Sequence, residues 1–196
     1  MQSRAILAAL AVGSLALPVF AADMPANPYA GQQTRPIKAL SADDLAALRN
    51  GEGMGMAKAA ELNGYPGPAH LLTLAAQLGL TESQRKQVTA VFDRMNTAAK
   101  RLGGELITRE QALDQLFATG EITPKRLAAD TSTIGELQGR LRSVHLAAHL
   151  ETHALLNPEQ ISLYQQLRGY ADPTAPAQHH HGKGAGADGY SKARAG

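Results

Sequence analysis

The sequence predicts an all-α protein built on one long antiparallel α-hairpin with short flanking helices. Three observations predict it. Ala and Leu are abundant, aromatics are few and Trp is absent, which favours helix over strand. Leu80-Thr81-Glu82-Ser83-Gln84 and Leu156-Asn157-Pro158-Glu159-Gln160 share one pattern of Leu, capping residue, two spacers and Gln. Between them, Leu127, Ile134, Leu141, Ala148 and Leu155 recur every seven residues with Leu137 and Val144 interleaved, a coiled-coil-like seam.

The two Gln-ended segments are helix starts. Thr81 and Asn157 can accept a first-turn N–H as N-caps, and Gln84 and Gln160 can reach back to the cap's own N–H, closing a capping box. Pro158 falls at the first helical position, where its missing N–H costs nothing, and Leu156 with Ile161 is spaced as a hydrophobic staple.

Taken in order, residues 1–21 read as a secretory leader. Arg4 supplies the basic end, Ala5 to Leu17 the apolar run and Val19-Phe20-Ala21 the small-residue cleavage end. This predicts export to the periplasm. Residues 22–40, with Pro25, Pro28, Gly31 and Pro36, read as a flexible arm. The helical domain spans 41–170. Ser41 with Asp44 three residues on starts a short helix that ends near Asn50-Gly51, and Met56 to Leu62 forms another. Asn63-Gly64-Tyr65-Pro66-Gly67-Pro68 is a dense helix breaker, read as a plain turn. Ala69 to Leu78 is a short apolar helix ended by Gly79.

The first long helix runs from Glu82 to about Phe117 with an apolar stripe through Val88, Val91, Phe92, Met95, Ala99, Leu102, Leu106, Leu113, Leu116 and Phe117; Gly103-Gly104 interrupts it and is placed to bend it. Thr123-Pro124 starts the second as N-cap and first residue, and the short turn between the two forces antiparallel packing. Pro158 to Arg168 forms the last helix. Residues 171–196, rich in Pro, Gly, Ala and His, read as a disordered tail.

Charge and composition exclude several functions. A formal net charge of +2, falling to about +1 when Arg4 leaves with the leader, is too balanced to imply nucleic acid. With no Cys there is no disulfide and no thiol nucleophile, and Gly-x-Ser-x-Gly, His-Glu-x-x-His and phosphate-loop signatures are missing, so a non-enzyme is predicted.

The sharpest chemical signal is the spacing of His145, His149 and His153. Histidines four apart share a helical face and can chelate one ion. Each such step turns the face by about 40°, and His145 and His153 are about 12 Å apart along the axis, so one ion with bonds of about 2.1 Å cannot take all three. On this geometry His145 flanks the seam, His149 lies further round and His153 points to solvent. Glu151 is on the wrong side. A third ligand has to fold over from His70, Glu61, Met54 or Met56. Zn, Ni or Cu suit imidazole, and Met54 and Met56 suit soft Cu(I). His179-His180-His181 is a metal-binding composition on a floppy segment. A solvated or seam-flanking His stripe explains the same spacing without metal. Arg85, Lys86, Arg94, Lys100, Arg101, Arg109, Arg140 and Arg142 read either as a solvated face or as a cradle that attracts unfolded clients.

The paired motifs, with two long helices between them, resemble the periplasmic LTxxQ-motif proteins, which include the chaperones Spy and CpxP, the zinc-associated ZraP and the metal sensor CnrX. The first copy matches fully; the second carries Asn157 in place of Thr, which preserves the capping chemistry. Glu61 to Pro68 looks like the segment before the first motif in the metal-sensor branch. The resemblance implies a curved homodimer of hairpins, which would also cover apolar surface that a lone hairpin exposes. It implies a role in envelope stress or heavy-metal response, as a metal binder or sensor, as an ATP-independent chaperone for unfolded proteins, or as a regulatory module for a membrane sensor or anti-sigma factor. In the sensor branch, ligands come from the N-terminal region and from a His-x-x-x-His/Met pair before the second motif. His145 and His149 occupy that position, but the arm here has no His-x-x-x-His.

Overall fold

Side-chain caps decide where the helices of this chain begin. The computed structural model describes residues 27–170. The expected leader, the first part of the arm and the tail with His179, His180 and His181 lie outside the described residues. By contacts, residues 1–34 separate from the rest, and their described part holds one 3-10 turn, Gln32–Thr34.

All remaining regular elements among the described residues are helical: α1 (Ala42–Asn50), α2 (Lys58–Glu61), α3 (Pro68–Thr73), α4 (Glu82–Thr119), α5 (Pro124–Ala154) and α6 (Pro158–Leu167). Complete capping boxes start α1, α4 and α6 at Ser41, Thr81 and Asn157. The hydrogen bond of Asp44 to the Ser41 side chain holds its carboxyl below the usual carboxylate range. Thr123 caps α5 ahead of Pro124, and Gly120 ends α4 with a left-handed φ of 73°. The short apolar helix expected over Ala69 to Leu78 is helical only from Pro68 to Thr73 and continues as turns to Gly79.

α4, of 38 residues, and α5, of 31, form the hairpin. Contacts run in opposite senses along them: Gln84 meets Leu155, Arg94 meets Glu151, and Leu106 shares a cluster with Ile134. One core cluster joins Leu48 of α1 with Ala99, Leu102 and Leu106 of α4 and Ile134, Leu137 and Leu141 of α5. Fully burying a side chain of this kind contributes about 1.5–3 kcal/mol. A second cluster at the other end joins Leu71, Ala75, Leu78, Leu80 and Val88 with Tyr164 of α6. The seam fades at the hairpin tip, where Leu127 and Phe117 are exposed.

The glycine pair in α4 does not interrupt the helix. Gly103 instead lets α1 come close, because a Cβ there would overlap the Leu48 carbonyl oxygen. Ile37, in the segment expected to be an arm, is buried, and Lys38 pairs with Asp114 of α4 at 3.2 Å.

The two Gln-ended motifs meet. Gln84 Nε2 donates to Gln160 Oε1 at 2.9 Å and to the Leu155 carbonyl at 2.9 Å. Gln160 Nε2 donates to Gln84 Oε1 at 3.2 Å and to the Leu78 carbonyl at 3.4 Å. Each Oε1 also accepts its own N-cap N–H. Every polar atom of both amides is therefore satisfied, and the starts of α4 and α6 are locked together.

Candidate functional site

Beside that lock, the breaker before α3 lies along α5. The Tyr65 carbonyl accepts from His149 Nδ1 at 2.7 Å, and the Pro66 carbonyl accepts from the fully buried Thr152 hydroxyl. The segment is thus more than the plain turn expected, and it changes the exposure of the histidines. His145 and His149 are both buried, 3% and 8% exposed. His153 does not simply point to solvent: its ring lies 4.4 Å from that of Tyr65. A helical projection alone gave the wrong environment because the covering surface is backbone from outside α5.

A carbonyl can only accept, so His149 Nδ1 carries a hydrogen and donates it, which leaves Nε2 as the ring nitrogen not engaged by the Tyr65 carbonyl. That nitrogen faces Gly67, where an added Cβ would sit 2.8 Å away. Only a residue without a side chain leaves room there. An imidazole with Nδ1–H on a backbone carbonyl has the usual outer-shell arrangement of a metal-binding histidine.

Glu61, at the end of α2, is the hub. Its Oε1 accepts from Tyr164 Oη at 2.6 Å and from Arg168 Nε at 3.3 Å, and lies 3.5 Å from His70 Nδ1. Its Oε2 is 3.7 Å from His149 Nδ1. Among the described residues, two buried side-chain atoms have no hydrogen-bond partner, Glu61 Oε2 and His145 Nε2. Burial, and then the neighbouring His149, hold the His145 imidazole below its ordinary pKa. Burial, and then Arg168, lower that of His70, although Glu61 opposes this. Burial and the hydrogen bond to Glu61 raise the Tyr164 phenol, which stays protonated.

His145 binds protons more weakly folded than unfolded, so its contribution to stability is full above the ordinary imidazole pKa of about 6.5 and falls as pH drops through and below that value. We expect urea midpoints to decrease from pH 7 to pH 5. His145→Gln should flatten that decrease, and an unchanged slope in this variant would contradict the assignment.

Of the candidate ligands, the fold gathers His149, picked out by spacing, and His70, one of the groups free to fold over, around Glu61. It buries His145 one turn away on the same helix and leaves His153 outside on Tyr65. Glu151 pairs with Arg94 at 2.6 Å on the exposed side, as expected. Met54 and Met56 belong to another surface feature. They line a separate open cleft of about 630 Å³ with Lys58 and Arg142, whose charges oppose a Cu(I) ion. Tyr164 and Arg168 were missed. Their only sequence sign is a Tyr and an Arg one turn apart in a short apolar helix. Among the described residues, no three His, Asp or Glu side chains stand ready-made around a metal ion.

A hairpin locked at its open end by two capped glutamines, with a buried carboxylate–histidine cluster, defines the class as an all-helical protein. No helix among the described residues is long and apolar enough to cross a membrane. Residues 69–168, just over half of the chain, match the family described as LTXXQ motif family protein, and the chain belongs to that family. No curated protein and no solved structure matches it. Glu61 and the covering loop precede the matched region, whereas His70, His145, His149 and both glutamines fall within it.

Proposed function

We propose that this is a periplasmic, non-enzymatic stress or heavy-metal response protein that binds one divalent ion, Zn, Ni or Cu, between α5 and the α2–α3 segment. The ligands are His145 and His149 through Nε2 and Glu61 through Oε2, with His70 at the mouth. The observation that carries this reading is the pair of buried, partnerless atoms, His145 Nε2 and Glu61 Oε2, either of which costs about 1–3 kcal/mol if left unsatisfied. A metal ion would satisfy both. Because the groups stand on different elements, the ion favours the conformation that draws them together. The reading includes a homodimer of hairpins that signals to a membrane sensor or anti-sigma partner.

The test is calorimetric titration of Zn²⁺, Ni²⁺ and Cu²⁺ into the mature chain carrying His179→Ala, His180→Ala and His181→Ala. Saturable binding of one ion per chain is expected, weakened at least about 100-fold by His149→Ala, since outer-shell partners alone are worth 10–100-fold. Equal binding by the His149→Ala protein contradicts the site.

A second reading has one observation in its favour: Phe117 and Leu150 are 57% and 60% exposed on the hairpin, apolar surface suited to unfolded clients. A chaperone suppresses aggregation of a denatured client without metal, whereas a sensor does not.

A further inference from the structure

The turn that leads into α2 carries a strained backbone. Met54 has φ 45°, and among the described residues it is the one non-glycine residue with a positive φ. Gly55 follows at φ 75°, and the Met56 N–H closes the turn on the Gly53 carbonyl at 2.7 Å. A turn with positive φ at both central residues suits Asn and Gly, and Met poorly. The strained side chain is not buried in return: Met54 is 42% exposed, on the open cleft of about 630 Å³. Met56 and the 57% exposed Leu62 add apolar lining, while Lys58 of α2 and Arg142 of α5 add two positive charges. Among the described residues no acid lines the cleft, and neither cation takes part in an ion pair. Glu61 of the same short α2 is buried, away from this lining, so the cleft is distinct from the histidine cluster.

We infer that this cleft binds an anionic amphiphile with a single apolar chain, a fatty-acid carboxylate, between Lys58 and Arg142 on one side and Met54, Met56 and Leu62 on the other. The inference does not depend on a metal. Two cations without acidic partners call for an anion, and the planar fork of Arg142 matches a carboxylate's two oxygens, with Lys58 as a point charge beside it. A bare anion would leave the apolar lining in water, and a neutral hydrocarbon would leave both cations without a counter-charge. One molecule that carries both parts satisfies both. Methionine, unbranched and polarizable, shapes itself to a flexible chain better than a branched side chain does. The volume lies within the range of small-molecule sites. Strained residues persist where a ligand is clamped, and Met54 fits that pattern: the turn gives up backbone stability and sets a flexible apolar side chain on the cleft. A ligand held by Lys58 and Arg142 together also ties the four-residue α2 to α5.

The test is calorimetric titration of decanoate, below its micelle concentration and with no metal added, into the full mature chain. Saturable binding of one decanoate per chain is expected. Lys58→Ala and Arg142→Ala should each weaken it at least about fivefold, since each removes a charged hydrogen-bond donor from an exposed position without disturbing the core. Decanol, with the same chain and no charge, should bind at least about tenfold more weakly than decanoate. Met54→Asn gives a readout that a purely structural turn would not move: it should raise the urea midpoint, because Asn tolerates the positive φ, and yet weaken decanoate several-fold. Leu62→Ser, at an exposed position, should weaken it similarly and serves if a charge variant folds poorly. No saturable binding, equal affinity for decanol, or affinity unchanged in both Lys58→Ala and Leu62→Ser overturns the proposal. A short peptide of alternating Leu and Glu that binds where decanoate does not overturns it too, and makes the cleft a peptide site.

Discussion

Gln160→Ala should lower the unfolding free energy by about 2–4 kcal/mol, because one amide serves four partners at once. Its oxygen accepts the Asn157 N–H and one amide hydrogen of Gln84, and its nitrogen donates to Gln84 Oε1 and the Leu78 carbonyl. The side chain is buried, so water does not simply replace it. Truncation leaves Gln84 facing a hole and frees α6 from the start of α4. Gln160→Glu keeps the acceptor but loses both donors and adds a charge, so it should rescue little. Gln87, whose amide reaches only the exposed Ser83 hydroxyl, is the control, and its Ala variant should stay within about 0.5 kcal/mol of wild type. Urea unfolding followed by helical circular dichroism reads all three. Equal midpoints for Gln160→Ala and Gln87→Ala would mean that the interlock contributes nothing.

That interlock shows how far local pattern reaches. The capping boxes at Thr81 and Asn157 follow from residues three apart, and the structure forms both. The hairpin follows from the heptad seam and the short Gly120–Thr123 turn. The meeting of Gln84 with Gln160 is a contact across 76 residues, and nothing in either motif encodes it. The site divides the same way. His145 and His149 stand out by their spacing on one helix. Glu61 appears only as one of several groups free to fold over, and Tyr164 and Arg168 not at all, because each is an ordinary residue until tertiary packing brings it to Glu61. The burial of His149 escapes a helical projection for another reason: what covers it is the backbone of Tyr65 to Gly67, which has no side-chain signature. The glycine pair at Gly103 leaves α4 continuous, and its visible use there is close approach to Leu48.

Glu61→Ala is the second large effect. Removing the carboxylate strips the Tyr164 hydroxyl of its 2.6 Å acceptor and leaves Arg168 without its counter-charge. Losing one member of a buried pair costs about 3–5 kcal/mol. Arg168 keeps 30% of its side chain exposed and can turn to water, so we expect about 2–3 kcal/mol. Glu61→Gln retains an acceptor for Tyr164 and should lose about 1 kcal/mol, but it surrenders the anionic metal ligand. The two variants therefore separate fold from function. Both should lose tight metal binding, and only the Ala variant should be markedly destabilised. Thermal unfolding with and without Zn²⁺ distinguishes them, since a ligand that binds only the folded chain raises its stability with concentration.

The most direct measurement is long-range proton–nitrogen NMR of the histidine rings in the full mature chain, with the tail histidines replaced, as Zn²⁺ is added. Before addition, His149 should show the proton on Nδ1, set by the Tyr65 carbonyl. The account predicts that the Nε2 signals of His145 and His149 shift together and saturate at one ion per chain, while His153 on the Tyr65 ring stays where it was. Rings that do not respond to Zn²⁺, or a response confined to His153, would contradict it.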